Sequence, residues 1–138
     1  MPAKDAIHDF VKNALIKDGW TITSENYTIR YEEIKLFADL TTERPLVAER
    51  SGQKIIVEIK SFLGTSPMRD LEEAVGQYII YRNLLEALES DYDIYLAINQ
   101  RVYITFFEKK AIQLIVQQNQ IRLIVVNIEN EVITQWIS

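Results

Sequence analysis

Cysteine is absent from the 138 residues, and histidine occurs once, at His8. The first absence excludes disulfides, zinc–thiolate sites and cysteine nucleophiles. The second excludes any multi-histidine metal centre and leaves His8 as the one histidine a triad could use. No apolar run reaches the roughly 18 residues that a membrane-spanning helix needs. No basic segment followed by an apolar one marks a secretory signal, so a cytoplasmic location is expected. Positive charge is also short: 15 Lys and Arg against 20 Asp and Glu leave a net charge of −5. That balance argues mildly against a strong nucleic-acid binder, although a local patch can oppose it. A catalytic site here has to be built from carboxylates and lysine, which suits hard cations such as Mg²⁺.

What is present describes one folded domain spanning 1–138. Apolar residues make up 48% and charged residues 25%, ordinary for a chain that buries one core. Ile7, Phe10, Val11, Ala14 and Leu15 recur at helical spacing and predict a helix over Ala3 to Asp18, with Gly19 as a left-handed cap. Thr21 to Tyr31 predicts two short strands or one broken strand, and Ile34 to Leu40 alternates like a strand. Leu46 to Arg50 and Lys54 to Lys60 flank Ser51-Gly52-Gln53 and predict a hairpin. Ser66 and Pro67 suit the cap and first residue of a helix running to about Leu88. Beyond it, Tyr92 to Ile98 predicts a strand, Arg101 to Gln117 a helix, and Ile121 to Val126 and Val132 to Ile137 two further strands. Strands alternating with helices imply an α/β fold, a mixed sheet with helices on its faces.

The chemistry is concentrated in QKIIVEIKSF, Gln53 to Phe62. Val57 and Ile59 point to one side of the strand, Glu58 and Lys60 to the other, about 7 Å apart. An acid and an amine at the end of an apolar strand are costly to bury unless they pair or bind something. Asp39 ends the preceding predicted strand and completes the pattern D–(x18)–E–x–K. Asp39 and Glu58 can hold Mg²⁺ or Mn²⁺ through oxygen ligands. Lys60 can place a water or neutralise a phosphate. The bland alternative is a solvated strand face or a salt bridge. Glu49 competes with Asp39 for the metal. It should pair near Lys54, however, about 13 Å along the strand from Glu58, too far to share an ion. Gln77 and Tyr81 share one face of the following helix, with Glu73 one turn earlier. They can support substrate, or Gln77 can tie the helix to a loop while Tyr81 packs in the core. His8 is better read as a buried or capping group.

The runs A14-L15-I16-K17-D18-G19-W20, V57-E58-I59-K60-S61-F62 and A74-V75-G76-Q77-Y78, with the close V132-I133-T134-Q135-W136-I137, resemble the XisH family over nearly the whole chain. The resemblance implies a restriction-endonuclease-like fold of the PD-(D/E)xK superfamily. On that reading Asp39 is the first acid, Glu58 and Lys60 the E-x-K pair, and Gln77 and Tyr81 the Q-x-x-x-Y residues of some nuclease branches. Ala38 stands where the superfamily pattern has proline. The family implies a role in controlling excision of the fdxN element in cyanobacteria, action on DNA, and an XisI-like companion protein. Three roles follow: a metal-dependent nuclease, a non-catalytic controlling factor that directs a separate recombinase, or an assembly module. The apolar ends of the chain suggest the last, and a homo-oligomer such as a dimer is expected.

Overall fold

Ser51 and Gly52 decide the centre of the molecule. In the computed structural model, which describes residues 6–25, 27–31, 34–35 and 45–138, both have positive φ, 50° and 82°. Two successive left-handed residues make the tight turn whose twist matches a right-handed hairpin. The turn joins β4 (Leu46–Arg50) to β5 (Gln53–Ile59) and pairs Glu49 with Lys54 and Leu46 with Val57. From Ile55 to Ile59 every residue of β5 is buried, so this strand is covered on both faces.

The other elements are α1 (His8–Lys17), β1 (Thr21–Ser24), β2 (Arg30–Tyr31), β3 (Ile34–Lys35), α2 (Pro67–Ala87), β6 (Asp93–Asn99), α3 (Gln100–Val102), a π-helical turn (Tyr103–Phe107), α4 (Lys110–Gln118), β7 (Leu123–Asn127) and β8 (Val132–Ile137). Six strands form one sheet in the order β1-β4-β5-β6-β7-β8, while β2 and β3 make a separate short ladder. The β5–β6 and β6–β7 pairs are parallel; the other pairs of the sheet are antiparallel. This is the mixed sheet between helices that the strand–helix alternation predicts. Of the strand expected over Ile34 to Leu40, Ile34–Lys35 forms β3. Residues 36–40, Asp39 among them, lie outside the described residues.

One face of the sheet carries α2, the π-turn and α4. Leu71, Tyr78, Leu85, Phe107 and Val116 pack there on Ile56, Leu96, Ile98 and Val125. The other face carries α1, whose Val11, Ala14 and Leu15 meet Ile55, Val57, Ala97 and Ile124. Each such side chain contributes about 1.5–3 kcal/mol when fully buried. The predicted cap at Gly19 forms with φ 92°, and Trp20 N–H reaches Leu15 O at 3.0 Å. Helix α1 is tied to both sides of the sheet. Lys12 Nζ donates to Glu25 Oε2 at 3.0 Å and His8 Nε2 lies 3.3 Å from Glu25 Oε1, just beyond β1. Asn13 Nδ2 donates to Glu131 Oε2 at 2.6 Å and Lys17 Nζ to Asn130 O at 2.9 Å, just before β8. His8, 2% exposed, is thus a buried group, as the sequence reading prefers.

The continuous helix expected over Arg101 to Gln117 is corrected. Glu108 N–H reaches back five residues to Tyr103 O at 3.1 Å, and Lys109 is extended with ψ 140°. The widened turn places both Phe106 and Phe107 against Phe62, with ring centroids 6.3 and 5.3 Å away.

Tyr78 pins the sheet from α2. Its hydroxyl donates to Ile94 O at 3.1 Å and accepts from Arg122 N–H at 3.0 Å, joining β6 to the start of β7. Burial holds this phenol above the ordinary tyrosine range. Tyr78→Phe leaves a carbonyl and an amide unsatisfied. It is expected to cost about 1–3 kcal/mol in urea unfolding; an unchanged midpoint would deny the pin any role.

Candidate active site

Parallel strands β5, β6 and β7 end together, at Ile59, Asn99 and Asn127. In open sheets of this kind, ligands collect outside the carboxyl ends of the strands. Glu58 stands at that edge. It shares the α2-side face of β5 with Ile56, and it is 6% exposed, the one buried carboxylate among the described residues. Holding an ionised carboxylate there costs several kcal/mol of lost hydration unless neighbouring charges or a bound cation offset it.

Lys60 follows on the same face. It lies just past β5, but its N–H still bonds Ala97 O at 3.1 Å, so the backbone is held to β6. Its ammonium donates to Glu73 Oε2 at 2.9 Å. This contact lowers the Glu73 carboxyl below its ordinary value, chiefly through the hydrogen bond and then through the lysine's charge. Any stability from the pair is present above the unfolded-state value of Glu73 and is lost as pH falls through the lowered folded-state value. The Glu73 side chain is 56% exposed, which limits that contribution to about 1 kcal/mol or less. Glu73→Gln is expected to move the unfolding midpoint within that limit. Urea unfolding at neutral and acidic pH reads this directly, and a larger shift would give Glu73 a structural role beyond the pair.

Residues 73, 77 and 81 descend the inner side of α2. Glu73 is exposed, Gln77 half-buried and Tyr81 2% exposed within the core. The ring of Tyr81 therefore packs among Ile56, Tyr78 and their neighbours. Asp39, the second expected metal ligand, lies outside the described residues. Among the described residues no group of three or more His, Asp or Glu can hold a metal by itself. Glu49 stands opposite Lys54 in the hairpin, as the spacing predicts, and away from Glu58.

Sequence reasoning places a loop at Leu63 to Pro67 but missed how the chain is held as it leaves β5. Phe62 has φ 57°, a left-handed conformation that costs a non-glycine residue about 1–2 kcal/mol. Its ring is 9% exposed against Phe106 and Phe107, and that packing offsets the strain. Two residues on, Gly64 N–H donates to Asp70 Oδ2 at 2.9 Å. A Cβ at Gly64 would come 2.7 Å from Asp70 Oδ1, so any larger residue would have to displace the Asp70 carboxylate. The lone hint in the sequence is the S-F-L-G run, which carries no turn signal stronger than its glycine.

An open groove of about 450 Å³ continues along the same edge, lined by Asn99, Gln100, Arg101, Thr105 and Asn127 among others. A larger cavity of about 770 Å³ opens at the opposite edge. Its two arginines are already engaged, Arg82 with Asn119 O and Gln120 O and Arg122 with Asp93 at 3.1 Å.

No curated protein sequence matches the chain. The family model described as XisH protein matches residues 1–134. The crystal structure of an XisH family protein from Nostoc punctiforme PCC 73102 matches with 38% identity and a TM-score of 0.89, over 97% of this chain and 100% of that one. That of an fdxN element excision controlling factor protein from Anabaena variabilis matches with 41% identity and the same TM-score of 0.89, over 98% of this chain and 100% of that one. A sheet order, a strand-end acid and lysine, and a match running almost from end to end lead to one assignment: the chain belongs to the XisH family.

Proposed function

We propose that the chain controls excision of a DNA element and does so with a metal-dependent phosphodiester site of its own, built from Asp39, Glu58 and Lys60. The observation that carries this reading is Glu58, a carboxylate 6% exposed at the carboxyl end of a parallel strand, with Lys60 next on its face. The name of the Anabaena variabilis relative, an fdxN element excision controlling factor, supports the excision role.

The donor chemistry fits Mg²⁺ or Mn²⁺, because carboxylate oxygens are the ligands that hard cations take. Asp39 and Glu58 would hold the ion. When bound, it supplies Lewis acidity toward a phosphate oxygen and makes a coordinated water easier to deprotonate. Lys60 neutralises charge that develops on the phosphate. Glu73 keeps the Lys60 ammonium over the edge until a phosphate competes for it. Gln77, half-buried one turn below, would support substrate, and Tyr81 anchors the helix that carries both.

The net charge of −5 favours a second reading, in which the same fold binds an XisI-like companion or DNA and directs a separate recombinase. One experiment separates the two. Cleavage of single-stranded, duplex and branched DNA is measured with Mg²⁺ or Mn²⁺, with and without the companion, for wild type, Glu58→Ala and Lys60→Ala. Cleavage lost in both variants establishes the nuclease. No cleavage by wild type, with excision still supported by Lys60→Ala, establishes the controlling factor.

A further inference from the structure

Asn99 and Asn127 end the parallel strands β6 and β7 and line the open groove of about 450 Å³ at that edge. Each has its carboxamide oxygen already engaged. Asn99 Oδ1 accepts from Arg101 N–H and Asn127 Oδ1 from Asn130 N–H, both at 3.1 Å. An N–H can be accepted only by the oxygen of a carboxamide, so the NH₂ group of each is left to donate. Neither NH₂ has an acceptor among the described residues. Arg101 lines the same groove. Its main chain is fixed on both sides, the N–H by Asn99 and the carbonyl by Thr105 Oγ1 at 2.8 Å. Its guanidinium differs from those of Arg50, Arg82 and Arg122: no carboxylate or carbonyl among the described residues accepts from it.

A guanidinium and two carboxamides with open donors suit an anionic, acceptor-rich ligand. Two further residues of the lining narrow that class. Ile104, 56% exposed, adds an apolar wall. Glu129 is exposed, pairs with no cation among the described residues, and is an acceptor. A bare sulfate or phosphate gains nothing from either. A nucleotide uses all of them: its phosphate meets the arginine, the flat face of its base the isoleucine, base acceptors the amides, and an exocyclic amine the carboxylate. In a base pair the Watson–Crick groups are already taken, so the base that fits is unpaired. The place is also apt. Lys60 N–H bonds Ala97 O, and Asn99 lies two residues, about 7 Å, further along β6. A strand held at the Glu58–Lys60 edge can therefore pass into the groove.

We propose that this groove holds an unpaired nucleotide whose base carries an amino group, in a nucleic-acid strand that runs on to the Glu58–Lys60 edge. The inference rests on the proposed function and adds where the strand beside the reacting phosphate lies and which base it places there. Thymine lacks the exocyclic amine and is the disfavoured base.

The test is anisotropy titration of labelled oligo-dC and oligo-dT of equal length at several salt concentrations, above neutral pH so that oligo-dC stays unstructured. Wild type should bind oligo-dC about 3–10-fold more tightly. Glu129→Ala should bring the two affinities within about twofold of each other. Arg101→Gln should weaken both about 3–10-fold and lower the salt slope by about 0.7, the share of one phosphate on a single strand. Both side chains are exposed, and thermal melts confirm that the variants fold. Equal affinity of wild type for the two oligonucleotides, or Arg101→Gln with wild-type affinity and salt slope, overturns the groove and leaves the proposed function standing. Displacement of oligo-dC by an equal concentration of dCMP overturns the strand in favour of a free nucleotide. Binding of neither oligonucleotide while duplex DNA is still cleaved overturns the groove alone. Failure to bind or cleave any DNA, with or without the companion protein, overturns both.

Discussion

Under the proposed function, Glu58→Gln is expected to lower metal-dependent cleavage by at least about 10²–10³-fold, the scale on which a single preorganised electrostatic group acts, while the chain stays folded. Glutamine keeps the length and hydrogen-bonding capacity of glutamate but removes the charge that a cation requires. The side chain is 6% exposed, so no water can take over its role without a change in packing. Glu49→Gln is the matching control. Glu49 pairs with Lys54 near the hairpin turn, about 13 Å along the strand from Glu58, and its loss should change cleavage less than about twofold. Single-turnover rates for the two variants, beside their thermal melts, check both statements. Equal losses would mean that cleavage follows hairpin integrity and not the strand-end carboxylate.

Phe107→Ala should cost about 3–5 kcal/mol. Its ring has no exposure. It meets Phe62 edge-on at 5.3 Å and Phe106 at 5.7 Å, and Tyr103 in a stacked arrangement at 6.5 Å. Domains of this size are stable by about 5–15 kcal/mol in all, so the melting temperature should fall by roughly ten degrees or more. Ile104→Ala, one turn away and 56% exposed, should stay within about 0.5 kcal/mol. Phe107 also supports the strained backbone of Phe62, so under the proposed function cleavage should fall at temperatures where the variant is still folded. Urea unfolding and a cleavage assay at low temperature separate the two losses.

Local chemistry decided which parts were legible beforehand. The Ser51-Gly52 turn, the Ser66-Pro67 start of α2 and the Gly19 cap are each made by residues whose conformational preferences are strong in isolation. Glu58 and Lys60 were legible because a charged pair at the end of an apolar strand breaks a pattern. The π-turn was not, because Tyr103 to Phe107 satisfies helical periodicity and the one extra residue in the turn leaves no mark on that pattern. Phe62 itself carries no local signal. Its left-handed φ comes from tertiary packing that local propensity cannot encode. Tyr81 was open to two readings since an aromatic on the inner side of a helix suits a core and a site equally; its ring lies in the core. Lys60 was expected beside Glu58, and its ammonium partner is Glu73 on the next helix.

Helix α1 is bonded at one end to Glu25 and at the other to Asn130 and Glu131, and Trp20 beyond it lies 5.6 Å from Trp136. Those last contacts join residues 113–118 positions apart. During synthesis the first helix is therefore made long before its final partners leave the ribosome. Its Val11, Ala14 and Leu15 must wait, sheltered only by β1, β4, β5 and β6, until β7 and β8 emerge. Long-range closure of this kind raises contact order and slows folding, and it leaves an apolar helix open to wrong partners in the interval. The meeting of the two tryptophans marks the end of that interval and provides its own optical reporter.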